Sequence, residues 1–235
     1  MFFDPMWLLF MAPAFIFMLY AQAKVKSAYS KYSRVPNARG MSGAQAAQNL
    51  LRASGLGHVK VEATRGNLTD HYDPRGKVLR LSDGVYSSTS VAAMGIVAHE
   101  VGHAVQDGAG YAPMRVRTAL VPAASLGSTL GWIFVMVGLV LSAMGSGFGI
   151  NVAWLGVILF AAAVLFTLIT LPVEFNASSR ALQMLRGNGL IVAQEYDGAR
   201  AVLSAAALTY VAAMLQAVSQ LLYFVFLLTG ARRRD

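Results

Sequence analysis

The chain has 235 residues, no cysteine, 56% hydrophobic and 13% charged residues, and a mean hydropathy of +0.54. That apolar excess exceeds an ordinary soluble domain and implies membrane spans, while the missing cysteine excludes disulfides and Cys-ligated zinc, leaving His and carboxylate as metal ligands. The net charge of +8 gathers beside apolar segments (Lys24, Lys26, Lys31, Arg34; Arg232, Arg233, Arg234) with no recognisable nucleic-acid module, so the expected partner is a lipid bilayer rather than nucleic acid.

Residues 6–23 form an apolar run long enough to cross a bilayer as an anchor. Asp4 and no basic residue precede it, and Lys24, Lys26, Lys31, Arg34 and Arg39 follow, so the positive-inside rule puts the next segment in the cytoplasm. Ala21-Gln22-Ala23 resembles a signal-cleavage site, but the missing basic n-region and the long apolar stretch favour an uncleaved anchor. Residues 40–118 read as one domain, of which 40–87 is the most soluble-looking part. Ser42-Gly43-Ala44-Gln45 is a capping-box pattern opening a helix to about Ser54, with Gly55 as its stop. Three β-type runs follow, 58–62, 67–72 and 77–82, separated by Gly66-Asn67 and Asp73-Pro74-Arg75-Gly76. They predict a small antiparallel sheet, either a plain structural hairpin or an edge on which an extended peptide could pair.

Ser87-Ser88-Thr89-Ser90 offers N-caps for an apolar helix over 90–106 that carries His99-Glu100-Val101-Gly102-His103. Residues four apart share a helix face, so His99 and His103 can aim at one metal ion while Glu100, one step round, can act as a base without being a ligand. Two of the four histidines and a carboxylate on a mostly apolar helix call for a metal or polar partners. Gly102, Ala98 and Ala104 would let another backbone pack close.

A transmembrane hairpin is expected over 119–171: apolar runs at 120–144 and 152–171 flank an uncharged turn with Gly145, Gly147 and Gly149, and Arg115 and Arg117 mark the cytoplasmic end. Two crossings return the chain to the side of the metal helix, where Pro172 fits the start of a new helix that displays Glu174 from its first turn. Glu174 is then the expected third ligand of a His-His-Glu site; the plain alternative is a helix-N-terminal Glu stabilised by the macrodipole. Residues 172–200 are expected to form the helix that carries this third ligand, and a helix opened by Asp197 leads into a last membrane helix over 206–229 with Gln216, Ser219 and Gln220 on one face. Four full crossings would put Arg232, Arg233 and Arg234 outside, against the charge rule, so either the last run does not fully cross or those charges are overruled.

Several separated motifs in order resemble the YugP-like family of membrane zinc metallopeptidases: Leu68-Thr69-Asp70-His71-Tyr72-Asp73-Pro74, Val97 through Gln106, Pro172-Val173-Glu174-Phe175-Asn176-Ala177-Ser178, and Ala206-Ala207-Leu208-Thr209-Tyr210-Val211-Ala212-Ala213. The resemblance implies a multi-pass neutral zinc peptidase with His99, His103 and Glu174 as ligands of one zinc ion and Glu100 as base. The chain is also similar to HtpX-type membrane proteases, which carry an Asp four residues beyond the third ligand, where Ser178 stands here. Asp107, one turn beyond His103, is a candidate to orient a ligand histidine in its place.

The expected fold class is therefore mainly α and multi-pass, a zincin-like, gluzincin-type metal-helix domain with a small antiparallel sheet inserted among about four transmembrane helices. The expected function is membrane-bound peptide hydrolysis by a zinc-activated water with Glu100 as general base, on a peptide or membrane-protein substrate, at the cytoplasmic face of the cell membrane. His71, Tyr72 and Arg180 are the candidate donors to the oxyanion or substrate, with turn-stabilising hydrogen bonding as the alternative for His71. The competing reading is a non-catalytic zinc-dependent membrane scaffold or adaptor, whose closed site would need a fourth protein ligand such as Asp107 or His71. A metal transporter is disfavoured, because the apolar spans carry no chain of His or acidic ligands.

Overall fold

The structure is a computed structural model that describes residues 5–231. Asp4 and Arg232, Arg233 and Arg234, on which the charge argument at the two ends rests, lie outside the described residues. The fold is mainly helical and divides into two compact units: Met1–Tyr20, Val116–Leu171 and Tyr210–Asp235 form one, and Ala21–Arg115 with Pro172–Thr209 form the other.

The first unit takes its described residues from four long helices: α1 (Pro5–Tyr32), α5 (Ala112–Ala143), α6 (Gly149–Gly187) and α7 (Ala193–Ala231). All four are long and apolar enough to cross a membrane, and only 17–28% of the most apolar stretch of each is buried, so they turn most of their hydrophobic surface outward. Helices α5 and α6 meet through small residues: a methyl placed on Gly131 would lie 2.8 Å from Phe160 N and 2.9 Å from Gly156 O. Such positions let two backbones approach where the hydrophobic effect between helices is weak. Val135, Ala153, Val157, Tyr223, Phe224 and Leu228 form the buried core of this unit.

The second unit is built on α4 (Val91–Gly108), the helix with the two histidines. Ser90 caps it, its hydroxyl accepting from Ala93 N at 3.2 Å. Helix α2 (Gly43–Ala53) packs along α4 with the complete Ser42/Gln45 capping box, as the sequence pattern predicts. The strands are β1 (Lys60–Thr64), β2 (His71–Asp73) and β3 (Val78–Ser82), and a single-turn α3 (Asp83–Tyr86) follows. Leu50, Leu51, Leu79, Leu81, Met94, Val97 and Val101 fill the core with Val173, Ala181 and Leu185 from α6.

Three expectations need correction. The sheet is mixed, not antiparallel: its order is β1-β3-β2, with β1 parallel to β3 and only β2 antiparallel to it. The turn at Gly66 does not fold β1 back on β2; the chain crosses over, and β2 becomes an edge strand of three residues. Pro172 does not start a helix but lies inside α6, which runs unbroken to Gly187. A proline removes one intrahelical N–H, a loss that long apolar helices tolerate, so Glu174 stands mid-helix and the macrodipole explanation for it fails. Residues 172–200 are consequently not one helix. Helix α6 ends at Gly187, the following Gly189 with φ +62° lets the Leu190 N–H reach Leu185 O, and α7 opens at Ala193, before the Asp197 start expected from sequence.

Candidate metal centre

One close packing contact brings the site together. A methyl on Gly102 would lie 2.7 Å from Ala177 O, so only glycine admits the α6 backbone against α4 at this depth. Ala177 is one turn beyond Glu174, and the approach sets Glu174 over His103 and over His99, which is 75 residues earlier. Glu174 Oε2 is 3.1 Å from His99 Nε2 and 3.4 Å from His103 Nε2. The three donor atoms lie within 4.8 Å of one another. A tetrahedral ion with bonds of about 2.0–2.1 Å needs ligand–ligand separations of about 3.3–3.4 Å, so two imidazole nitrogens and this carboxylate oxygen fit a zinc-sized cation. The Glu174 side chain is 2% exposed, a depth at which a carboxylate needs cationic company.

The outer nitrogens of both imidazoles are held by neutral groups. His103 Nδ1 is 3.0 Å from Gln106 Oε1, and the Gln106 amide donates to Val173 O at 2.8 Å and Asn176 Oδ1 at 3.0 Å. With both amide hydrogens committed, the Gln106 oxygen must accept, so His103 carries its proton on Nδ1 and presents the Nε2 lone pair to the ion. His99 Nδ1 lies 3.1 Å from Ser178 Oγ. Ser178 thus takes up the orienting position that an Asp holds in the HtpX-type pattern. Gln106, which the fold buries fully, was not singled out from sequence, although an amide three residues after the second histidine of an apolar helix was a readable signal.

Glu100 is partly buried and accepts a hydrogen bond from Tyr72 N–H at 3.0 Å. Desolvation raises its pKa above the usual carboxylate range, against the opposing pull of His99 and His103. For His103, burial disfavours the proton, but the bond to Glu174 and the charges of Glu100 and Glu174 outweigh it and raise its pKa.

The remaining candidates make other contacts. Asp107 touches no histidine; it accepts from the Tyr72 hydroxyl at 2.7 Å and from Lys77 Nζ at 2.5 Å, so the orienting role expected for it is corrected. Burial works to raise its pKa, yet the Lys77 and Tyr72 hydrogen bonds prevail and lower it. The Tyr72 phenol, raised first by burial and then by Asp107, has its one proton committed there and is not an oxyanion donor. His71 is exposed, with Nδ1 2.8 Å from Thr69 O, which is the turn-stabilising alternative. Arg180 Nε donates to Asn176 Oδ1 at 2.7 Å, with the guanidinium 6.0 Å from the Tyr111 ring centre. Neither Asp107 nor His71 joins the three-ligand group.

A family model described as "Putative neutral zinc metallopeptidase" matches residues 7–229, nearly the whole chain. The chain belongs to this family. It is also 46% identical over 213 residues to the "Putative membrane protease YugP" of Bacillus subtilis (strain 168), covering 91% of this chain and 92% of that protein. No solved structure matches the chain. Membership of the zinc metallopeptidase family names zinc as the metal that a His-His-Glu group of this spacing would hold.

Proposed function

We propose that the protein is a membrane-bound zinc metalloendopeptidase of gluzincin type, built on a zincin-like domain. The observation that carries this is Glu174 meeting His103 and, across 75 residues, His99, with a glutamate outside the three-donor group, Glu100, beside the histidines on the same helix. His99, His103 and Glu174 would hold one zinc ion per chain. When bound, zinc supplies a Lewis acid that polarises a carbonyl and lowers the pKa of water toward about 7. Glu100 takes the proton of the attacking water and returns it to the leaving amine. Desolvation, which raises its affinity for that proton, suits both halves of the transfer. Gln106 and Ser178 keep the imidazoles turned toward the ion. Arg180 is the donor we assign to substrate or oxyanion, since its Nε bond to Asn176 leaves the other guanidinium N–H groups to donate, whereas the Tyr72 phenol has its one proton on Asp107.

The four apolar helices and the name of the Bacillus relative support a multi-pass protein of the cell membrane, and the basic residues after the first span support a site on the cytoplasmic face. Its substrate would be a peptide or a membrane protein, with no nucleic-acid partner. The scaffold alternative needs a closed, four-ligand site, and both candidate fourth ligands have other partners.

The test is cleavage of a broad peptide library by the purified, detergent-solubilised protein beside Glu100→Gln, with zinc content measured on the same samples. Cleavage by the native protein, lowered about 10²–10⁴-fold in Glu100→Gln at unchanged zinc content, is the expected result. No cleavage by either, with zinc full in both, would turn the reading to the scaffold.

A further inference from the structure

Strand β2 is attached to α4 at two points, and both attachments run through one residue. Tyr72 N–H donates to Glu100 Oε2 at 3.0 Å, and its phenol donates to Asp107 Oδ2 at 2.7 Å. Glu100 and Asp107 are seven residues apart, two turns along one face of α4, a rise of about 10 Å. Tyr72 lies along that face, 9% exposed and part of the core. Lys77 closes the arrangement with a 2.5 Å ion pair to Asp107. Its backbone φ is +50°, a conformation L side chains rarely adopt, so the turn between β2 and β3 is held in an unfavourable shape while Lys77 reaches Asp107.

The Tyr72 N–H gives the only hydrogen bond of the Glu100 side chain among the described residues. It ties down one carboxylate oxygen and leaves the other as the atom able to accept a proton. We propose that Tyr72, Asp107 and Lys77 form a positioning unit that sets the orientation of the Glu100 carboxylate. The inference rests on the metallopeptidase reading for its effect on turnover, but the contact itself exists without it. Asp107, fixed by Lys77, holds the phenol; the phenol fixes the ring; the ring holds β2 where its one outward N–H meets Glu100. A consequence concerns substrate binding. Backbone groups alternate along a strand, so the outer edge of β2 offers only the Tyr72 pair, and Pro74, two residues on, has no N–H to give. With the Tyr72 N–H spent on Glu100, this edge presents a single acceptor, the Tyr72 carbonyl, and an extended peptide cannot be held here by a run of strand-pairing bonds.

The test compares Tyr72→Phe, Asp107→Asn and the double variant with native protein in detergent, with Glu195→Gln as a control. Glu195 caps α7 and accepts from Val192 N and Ala38 N, and its loss weakens the same unit without touching the positioning residues. Expected are unchanged zinc content, KM within about twofold, kcat per bound zinc down about tenfold in each single variant, and no further loss in the double variant, as for residues acting in one chain. The control keeps its kcat per zinc. Loss of activity only in proportion to lost zinc, or the same loss in Glu195→Gln, would overturn the proposal. If the native protein cleaves nothing, the peptidase reading has failed by itself, and amide hydrogen exchange decides the contact. The Tyr72 amide should exchange slowly in native protein and at least tenfold faster in Glu100→Ala and in Asp107→Asn. Equal exchange in all three would overturn the proposal.

Discussion

Gly102→Ala tests the packing on which the site depends. The new methyl would stand 2.7 Å from Ala177 O, 3.2 Å from its Cα and 3.3 Å from its carbonyl carbon. All three are backbone atoms, so no side chain can swing away, and α6 must retreat by about 0.5–1 Å to restore contacts near 3.5 Å. Overpacking of this kind costs about 1–3 kcal/mol, against a gain of up to about 1 kcal/mol from replacing a mid-helix glycine. The metal-free variant should therefore be less stable by about 0–3 kcal/mol. The larger effect falls on the metal: Glu174 is one turn from Ala177 and moves with it, while ligand distances must hold to about 0.2 Å. Zinc affinity, measured by chelator competition in detergent, should fall about 10–100-fold, as when the support of a ligand is lost. Gly187→Ala, where the added methyl meets nothing within 4 Å, supplies the control and should bind zinc as native protein does. If Gly102→Ala kept native zinc affinity and melted like Gly187→Ala, the close approach would not be what assembles the site.

Four further outcomes can be checked on the same preparations. Glu174→Ala should abolish stoichiometric zinc binding, read by metal analysis after dialysis, because two neutral imidazoles on one helix turn do not replace a His-His-Glu group. Gln106→Leu keeps side-chain volume near its native value but frees His103 Nδ1 and two acceptors on α6, and should weaken zinc binding about 10–100-fold by chelator competition. Ser42→Ala removes the capping box of α2 and should cost about 1 kcal/mol in thermal unfolding with no change in zinc affinity. Glu100→Gln should stabilise the metal-free protein at neutral pH. Burial raises the carboxyl pKa, so the folded state binds this proton more tightly than the unfolded chain; stability is lost as pH rises from the ordinary carboxylate range through the raised value. The melting temperature of the metal-free variant should exceed the native one near pH 7.5 and converge with it toward pH ~4, near the unshifted glutamate value.

The parts of the site that sequence reveals are those set by local periodicity. His99 and His103 fall on one face because helices repeat every 3.6 residues, and Ser42 and Ser90 act as caps because their hydroxyls lie within reach of nearby N–H groups. Glu174 was found by a different route, the topological argument that two apolar crossings return the chain to its starting side. The fold does bring Glu174 to His99, although Pro172 does not begin a helix. A proline in an apolar stretch is ambiguous in sequence because a long helix can continue past one missing hydrogen bond. The sheet was misread for a comparable reason. Strand patterns and turn residues fix which segments are extended, but the pairing of β1 with β3 rather than β2 depends on contacts 18 residues apart, such as Lys60 with Val78.

The misplacement of Asp107 identifies what sequence spacing lacks. By position, an acid four residues past His103 stands one turn away and is free to turn toward the imidazole. In the fold, Lys77 and Tyr72 draw it to the other side, and the neutral Gln106 and Ser178 take the histidine nitrogens instead. The choice has an electrostatic basis. Glu100 and Glu174 already lie against the two histidines, and a third acid there would add repulsion in a site whose burial already makes the charged form of Glu100 unfavourable. An amide and a hydroxyl fix the orientation of the imidazoles without adding charge. The acid that local spacing would have given to the metal is left to hold β2, and through it Glu100, against the same helix.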